Sequence, residues 1–234
     1  MSIFRISLSA SVIWAVHTTM TAPQPPPLCD EQVGPAGLEV SAMPIFIKSC
    51  FWSAGLAEIL AILTNLYPSN SLTKYAASLL VRSPSTPDAI RTTWWFIFAW
   101  VCTISGAFIR RSCYRNLGEM FTFQVSLRRN HKLVTSGPYS FVRHPSYSSG
   151  ALALSGALMC HTIPGSWAVE CSGIFQPSWA GPLIATCWLI ASIMGTLVIA
   201  PRLEQEDALL KRRFGSEWDA WARNVPYRLL PGLY

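Results

Sequence analysis

At 234 residues the chain has the length of one ordinary domain or two small ones. Hydrophobic residues make up 51% and charged residues 13%, against roughly 25% charged in a typical soluble domain, which excludes an ordinary soluble surface and predicts a polytopic membrane protein. The net charge of +6 gathers at residues 110–143 and 202–228, beside apolar segments, a pattern that suits an anionic cytoplasmic leaflet and membrane lipid rather than nucleic acid. No helix-turn-helix or RNA-binding signature points to a nucleic-acid partner. The seven cysteines form no CxxC pair, so no metal site is predicted, and their odd number gives no support for a disulfide framework.

Taken in order, residues 3–20 are moderately apolar with Arg5 near the start, which fits either a first span or a signal-like segment. Residues 22–44 carry Pro23, Pro25, Pro26, Pro27 and Pro35 and read as an extended or irregular linker. The next apolar run, 44–67, is broken only by Lys48 and Glu58. Lys48 can snorkel from near an end, whereas Glu58 must face a neighbour or a cavity. About 20 residues suffice to cross the hydrocarbon core. Within 69–91, Leu72, Tyr75, Ala76, Leu79 and Leu80 recur at helical spacing and predict a short amphipathic helix at the interface.

Residues 92–109 predict a span that opens on Trp94 and Trp95 and stops at Arg110 and Arg111, which makes its C-terminal end cytoplasmic. Residues 114–130 then lead to the polar stretch 131–147. Ser136-Gly137-Pro138 is turn punctuation there, and Pro145 biases His144 away from helical angles. This stretch reads as an irregular loop that brings Tyr139, His144 and Tyr147 together. Beside a membrane such backbone survives only when buried in protein or lining a polar cavity, so the loop is a pocket candidate. A basic loop at the membrane surface is the simpler alternative.

Residues 148–160 are rich in small residues, which let helices approach closely, and 163–182 reads as a turn region with three prolines. With a further span at 182–200, residues 148–200 form a hairpin whose two basic flanks share the cytoplasmic side. After it, Leu203, Leu210, Phe214, Trp218 and Trp221 follow at steps of 7, 4, 4 and 3, one stripe of an amphipathic helix that Glu206 shares. A carboxylate there needs a cationic partner, and Arg202 lies one turn behind, so the two could simply satisfy one another. The predicted fold is therefore all-α: a polytopic membrane helical bundle with a cytoplasmic loop and a C-terminal amphipathic helix. It divides into residues 1–43 (apolar segment and linker), 44–113 (first transmembrane helices) and 114–234 (the functional core).

Two blocks carry a family resemblance. Gly137-Pro-Tyr139 followed by Arg143-His-Pro-Ser-Tyr147 resembles the signature of the isoprenylcysteine carboxyl methyltransferases. The second block also resembles that family: the last span runs into Arg202, then the acids Glu206-Asp207, Phe214-Gly215, spaced aromatics, Val225-Pro226 and Leu230-Pro231-Gly232. Glu206-Asp207 stands where the family has two glutamates, and Trp218 and Trp221 stand where tyrosines are common. The likeness covers residue 124 to the C-terminus.

The resemblance implies a multi-pass enzyme of the endoplasmic reticulum membrane. It would use S-adenosylmethionine to methylate the C-terminal carboxylate of prenylcysteine, either free or at prenylated protein C-termini. By match to the family, Arg202 would grip the acceptor carboxylate. Gln124, His131, Lys132, Leu133, Val134, Tyr139, His144, Pro145, Ser146, Tyr147 and Glu206 would surround the cofactor. His131 and His144 could equally be loop histidines bonded to carbonyls. Two alternatives stand beside this reading. One is a membrane methyltransferase of a phospholipid amine or another small lipophile, which would not need Arg202 to hold a carboxylate. The other is a non-catalytic membrane scaffold of the same fold.

Overall fold

The computed structural model of the protein describes residues 3–28, 31–33, 38–82, 86–175 and 179–232, with the backbone alone at 38–41, 180, 184, 185 and 187–198. The regular elements among them are helices: α1 (Ile3–Thr19), α2 (Leu38–Leu66), α3 (Ser71–Leu80), α4 (Trp94–Leu117), α5 (Pro145–Thr162), α6 (Trp167–Glu170), α7 (Ala180–Phe214) and α8 (Ser216–Asn224). Two stretches of described residues, Ala42–Leu66 and Trp94–Met120, have the length and apolar composition to cross a membrane. The first coincides with the predicted run 44–67; the second contains most of the predicted run 92–109 but continues past Arg110 and Arg111, where the span was expected to stop. The predicted run 182–200 lies inside α7, where most of its side chains fall outside the described residues. The predicted amphipathic helix forms as α3, which leaves Leu72, Tyr75 and Leu79 exposed.

α4 and α5 make the closest helix pair, with α1 lying against both and α2 beside α1. Small residues allow that approach. A Cβ at Gly106 would lie 2.5 Å from the Ala153 nitrogen, and one at Gly156 would lie 2.6 Å from the Ala99 carbonyl oxygen. Leu8, Val12 and Val16 of α1 complete this core against Phe96, Ala99, Ala157 and Cys160.

The two lone charges in the predicted apolar segments both find partners. Glu58 is 1% exposed and takes the Arg5 Nε at 3.0 Å, the Ser9 hydroxyl at 2.6 Å and the Trp167 backbone N–H at 3.1 Å. Arg5 in turn covers the Phe96 ring, its Cζ 3.2 Å from the ring centroid. Lys48, almost three turns into α2, donates to the Thr21 hydroxyl at 3.3 Å.

Three local readings change. The linker is irregular through Pro23, Pro25, Pro26 and Pro27, with Pro35 outside the described residues, but Glu31 and Val33 pair with the chain before α5. The Val33 N–H donates to the Val125 carbonyl and the Leu127 N–H to the Glu31 carbonyl, each at 3.0 Å. α2 also begins within the linker, at Leu38, and takes in Pro44. The motif stretch is less loop-like than expected. Its Gly137–Ser140 segment is a 3-10 turn, and α5 starts at Pro145, because proline at a first helical position loses no intrahelical bond and arrives with its φ already set.

The third change is at the C-terminal side. α7 continues without interruption through Pro201, so the predicted span and the Arg202–Glu206 turn belong to one 35-residue helix. The expected single amphipathic helix is instead split at Gly215, whose φ of +53 only glycine adopts readily. The stripe survives the split. Trp218 and Trp221 on α8 fold back against Leu210 and Phe214 of α7 and against Tyr139.

Candidate active site

The site is assembled where three segments meet: the chain after α4, the first turn of α5 and the C-terminal half of α7. α4 ends at Gly118, with φ +55, and residues 121–136 then run without regular structure to Gly137. Gly137, with φ +62, packs so closely on Asn116 that a Cβ would lie 2.7 Å from its side-chain oxygen. His144 caps α5 with φ −125 and ψ 57, the non-helical geometry that Pro145 imposes. The C-terminal tail holds this turn from outside. The Arg143 N–H donates to the Tyr227 carbonyl at 2.9 Å and the His144 N–H to the Arg228 carbonyl at 2.8 Å.

His144 is 5% exposed and lies between two carboxylates. Its Nε2 is 3.0 Å from Asp207 Oδ1 and its Nδ1 is 3.4 Å from Glu206 Oε2. Burial opposes the charged imidazole, but the hydrogen bonds to Asp207 and Glu206 and their negative charges outweigh it and raise its pKa. The carboxylates respond in the opposite sense. Burial opposes their ionisation, yet contacts with His144 hold both below their usual range, helped by Tyr147 and Arg202 at Glu206 and by Arg143 and Arg228 at Asp207. Arg202 Nε sits 3.2 Å from Glu206 Oε1, and a second guanidinium nitrogen donates to the Phe123 carbonyl. The Tyr147 hydroxyl donates to the same Glu206 oxygen. Asp207 completes its set with Arg228 at 3.2 Å and Arg143 at 3.5 Å.

Beside this cluster lies a cavity of about 540 Å³. Of the twelve site residues expected from sequence, Gln124, His131, Lys132, Leu133, Val134, Tyr139, His144, Ser146, Tyr147, Arg202 and Glu206 line it. Pro145 does not. It starts α5 and sets the geometry of His144. The remaining wall is largely apolar, with Met20, Met43, Pro44 and Ile47 from the N-terminal segments and Leu117, Phe121, Ile199 and Leu209 from around the site.

Asp207, Arg143, Arg228 and Arg110 were not expected as site residues, although Arg143 and Asp207 belong to the two motif blocks and Arg110 to the flank of a predicted span. The spacing did contain a signal for Asp207. Leu203, Asp207, Leu210 and Phe214 follow at steps of 4, 3 and 4, a better helical stripe than one through Glu206. Accordingly the Asp207 side chain is 8% exposed and that of Glu206 25%. Arg228 had no comparable signal, because its contact depends on the tail folding back over α5.

S-adenosylmethionine can be tested against this lining. Three buried polar atoms of cavity-lining residues, Gln124 Oε1, His131 Nδ1 and Arg143 Nε, have no hydrogen-bond partner among the described residues. Burial and the charges of Arg213 and Arg128 lower the His131 pKa, so its ring is neutral at pH 7 and can accept or donate one hydrogen bond. A carboxylate in Glu206, unpartnered amide and imidazole atoms and apolar walls match the ammonium and the adenine of the cofactor.

Residues 99–171 match the isoprenylcysteine carboxyl methyltransferase (ICMT) family. The chain is 30% identical over 144 residues to protein-S-isoprenylcysteine O-methyltransferase B of Arabidopsis thaliana, a match that covers 58% of this chain and 60% of the relative. It is 28% identical over 123 residues to the protein-S-isoprenylcysteine O-methyltransferase of Schizosaccharomyces pombe, covering 52% of this chain and 43% of that one. A probable protein-S-isoprenylcysteine O-methyltransferase of Oryza sativa subsp. indica is 28% identical over 140 residues, with 56% and 60% covered. The matches thus span 60% or less of these relatives' length. The matched family segment contains α5, the motif turn before it and the 120–134 wall of the cavity.

Proposed function

We propose that the protein is an integral-membrane methyltransferase, multi-pass in the endoplasmic reticulum membrane, that esterifies the C-terminal carboxylate of a prenylated cysteine using S-adenosylmethionine. The observation that carries this reading is that one cavity gathers the motif turn before α5 and, from some 60 residues later, Arg202 and Glu206. When bound, the cofactor supplies an electrophilic methyl group. The chain's own residues have to orient the acceptor and keep water away from it.

No general base is needed, because an α-carboxyl with a pKa of about 3.5 is already ionised at neutral pH. His144 suits that requirement: both its ring nitrogens face carboxylates, so its protons are committed to Glu206 and Asp207. Glu206 would hold the cofactor ammonium, and Gln124 and His131 would supply polar contacts through their unpartnered atoms. Arg202 would orient the acceptor carboxylate by its planar fork. Apolar residues of the wall, Phe121, Leu133 and Ile199 among them, would exclude water and take the start of the prenyl chain.

Arg202→Lys tests the acceptor role. A point charge replaces the fork and loses one charge-assisted bond, so acceptor kcat/KM should fall roughly tenfold while cofactor affinity holds. Unchanged acceptor kinetics would remove Arg202 from that role. Topology has its own test. Labelling from the cytosolic side should reach engineered Ser136→Cys and Ser216→Cys equally, and labelling of one alone would break the hairpin reading of 148–200.

A further inference from the structure

Arg110 lines the same cavity, yet every hydrogen-bond partner it has among the described residues is neutral. Its Nε donates to the Thr19 carbonyl at 2.9 Å and to the Tyr114 hydroxyl at 2.8 Å. Its Nη1 donates to the Ser146 carbonyl at 2.6 Å and the Ser146 hydroxyl at 3.0 Å. Nη2, with two N–H groups, has no hydrogen-bond partner among the described residues. Nor does any described carboxylate lie within ion-pair distance of this guanidinium, whereas Arg202 has Glu206 at 3.2 Å and Arg143 has Asp207 at 3.5 Å.

The surroundings strengthen the imbalance. Arg110 is half-buried, with the rings of Tyr114, Phe121 and Phe123 centred 5.5 to 5.9 Å from its Cζ. Ser146 is the second residue of α5, so the cation also sits against the positive end of an 18-residue helix, the wrong end for a positive charge. A partly desolvated cation held there by carbonyls and hydroxyls has its fixed contacts satisfied and its charge unbalanced.

We infer that Arg110 forms a second carboxylate-binding subsite in this cavity, distinct from Arg202. The inference rests on the methyl-transfer reading, in which two carboxylates enter the site, one on the amino-acid part of the cofactor and one on the acceptor. The cavity offers two guanidiniums to match. Arg202 is bound to Glu206 on α7. Arg110 reaches the cavity from α4, beside the first turn of α5, with a donor edge to spare. Each carboxylate then has its own cation, and Glu206 remains for the ammonium.

The test uses the full chain in detergent. Affinities for S-adenosylhomocysteine and for its decarboxylated analogue are measured by calorimetry, along with the KM for an N-acetylated prenylcysteine. Arg110→Gln is expected to weaken one carboxylate ligand about ten- to a hundredfold, the size of a lost charge-assisted bond. If the loss falls on S-adenosylhomocysteine and spares the decarboxylated analogue, Arg110 holds the cofactor carboxylate. If it falls on acceptor KM, Arg110 holds the acceptor. Arg110→Lys, which keeps the charge, serves where the glutamine variant does not fold, and its smaller loss follows the same pattern. Equal losses for both nucleosides with unchanged acceptor KM, or no loss at all, would overturn the subsite while leaving methyl transfer standing. A wild-type chain that binds no S-adenosylhomocysteine would overturn the methyl-transfer reading and the subsite together.

Discussion

Asp207→Ala is expected to destabilise the protein by about 3–5 kcal/mol, because it removes one partner from a buried ion cluster and strands the others. The side chain is 8% exposed, His144 is 5% exposed, and Arg143 and Arg228 converge on the same carboxylate. A thermal melt in detergent should fall by on the order of 10 °C. The loss also depends on pH in a defined way. Asp207 has a depressed pKa, so its contribution is complete above the ordinary carboxylate range and is lost as pH falls through its lowered folded value. His144 has a raised pKa, so its contribution is complete below the ordinary imidazole range and is lost as pH rises through its raised folded value. The gap between wild type and Asp207→Ala should therefore be widest between those limits and narrow on both sides. It should not close at alkaline pH, since Arg143 and Arg228 stay charged. A gap that does not narrow on the alkaline side would mean that His144 is neutral in the fold.

The second large effect is at Glu206. If this carboxylate holds the cofactor ammonium, Glu206→Gln keeps the shape but removes the charge, at about 1.5–3 kcal/mol, or roughly ten- to a hundredfold in cofactor affinity. Acceptor KM should change far less, because Arg202 keeps its bond to the Phe123 carbonyl. The opposing view is that Glu206 serves only to neutralise its neighbours, and the geometry gives that view substance. Arg202, His144 and Tyr147 all contact it. On that view cofactor affinity holds while the melting temperature falls. Titration of S-adenosylhomocysteine beside a melting curve separates the two, and unchanged affinity with a lower melting point would sink the cofactor role.

Much of the architecture was legible because it depends on short-range pattern. Helical spacing marked α3, the Trp94-Trp95 pair marked the start of α4, though the helix runs past Arg110-Arg111 to Leu117, and the rule against lone intramembrane carboxylates required a partner for Glu58. The identity of that partner, Arg5, could not be read, since it lies 53 residues away and depends on how α1 docks. The motif loop was legible as a pocket wall for a similar reason. Gly137, Pro138 and Pro145 fix local backbone angles whatever surrounds them.

What escaped the sequence reading depends on tertiary placement. A glycine in a helical pattern is ordinarily tolerated, so the break at Gly215 was hidden by a stripe that continues in register on α8. The predicted span stopped at residue 200, whereas the helix runs on through Pro201, since a proline costs one bond and a clash that a long, otherwise well-formed helix can absorb. The ion cluster was half legible. Glu206 and Arg202 share a helix face and follow from spacing, whereas Arg228 and Arg143 join through a tail that folds back by backbone hydrogen bonds.

The central claim is that this cavity methylates a prenylcysteine carboxylate. Its most direct test is to incubate the purified full chain with methyl-labelled S-adenosylmethionine and a panel of acceptors: an N-acetylated prenylcysteine, the same compound as its amide, and phosphatidylethanolamine vesicles. The account predicts base-labile label on the free prenylcysteine alone, since the amide lacks the carboxylate that Arg202 would orient. Label on the phospholipid amine, or no transfer to any acceptor by a chain that still binds the cofactor, would contradict it.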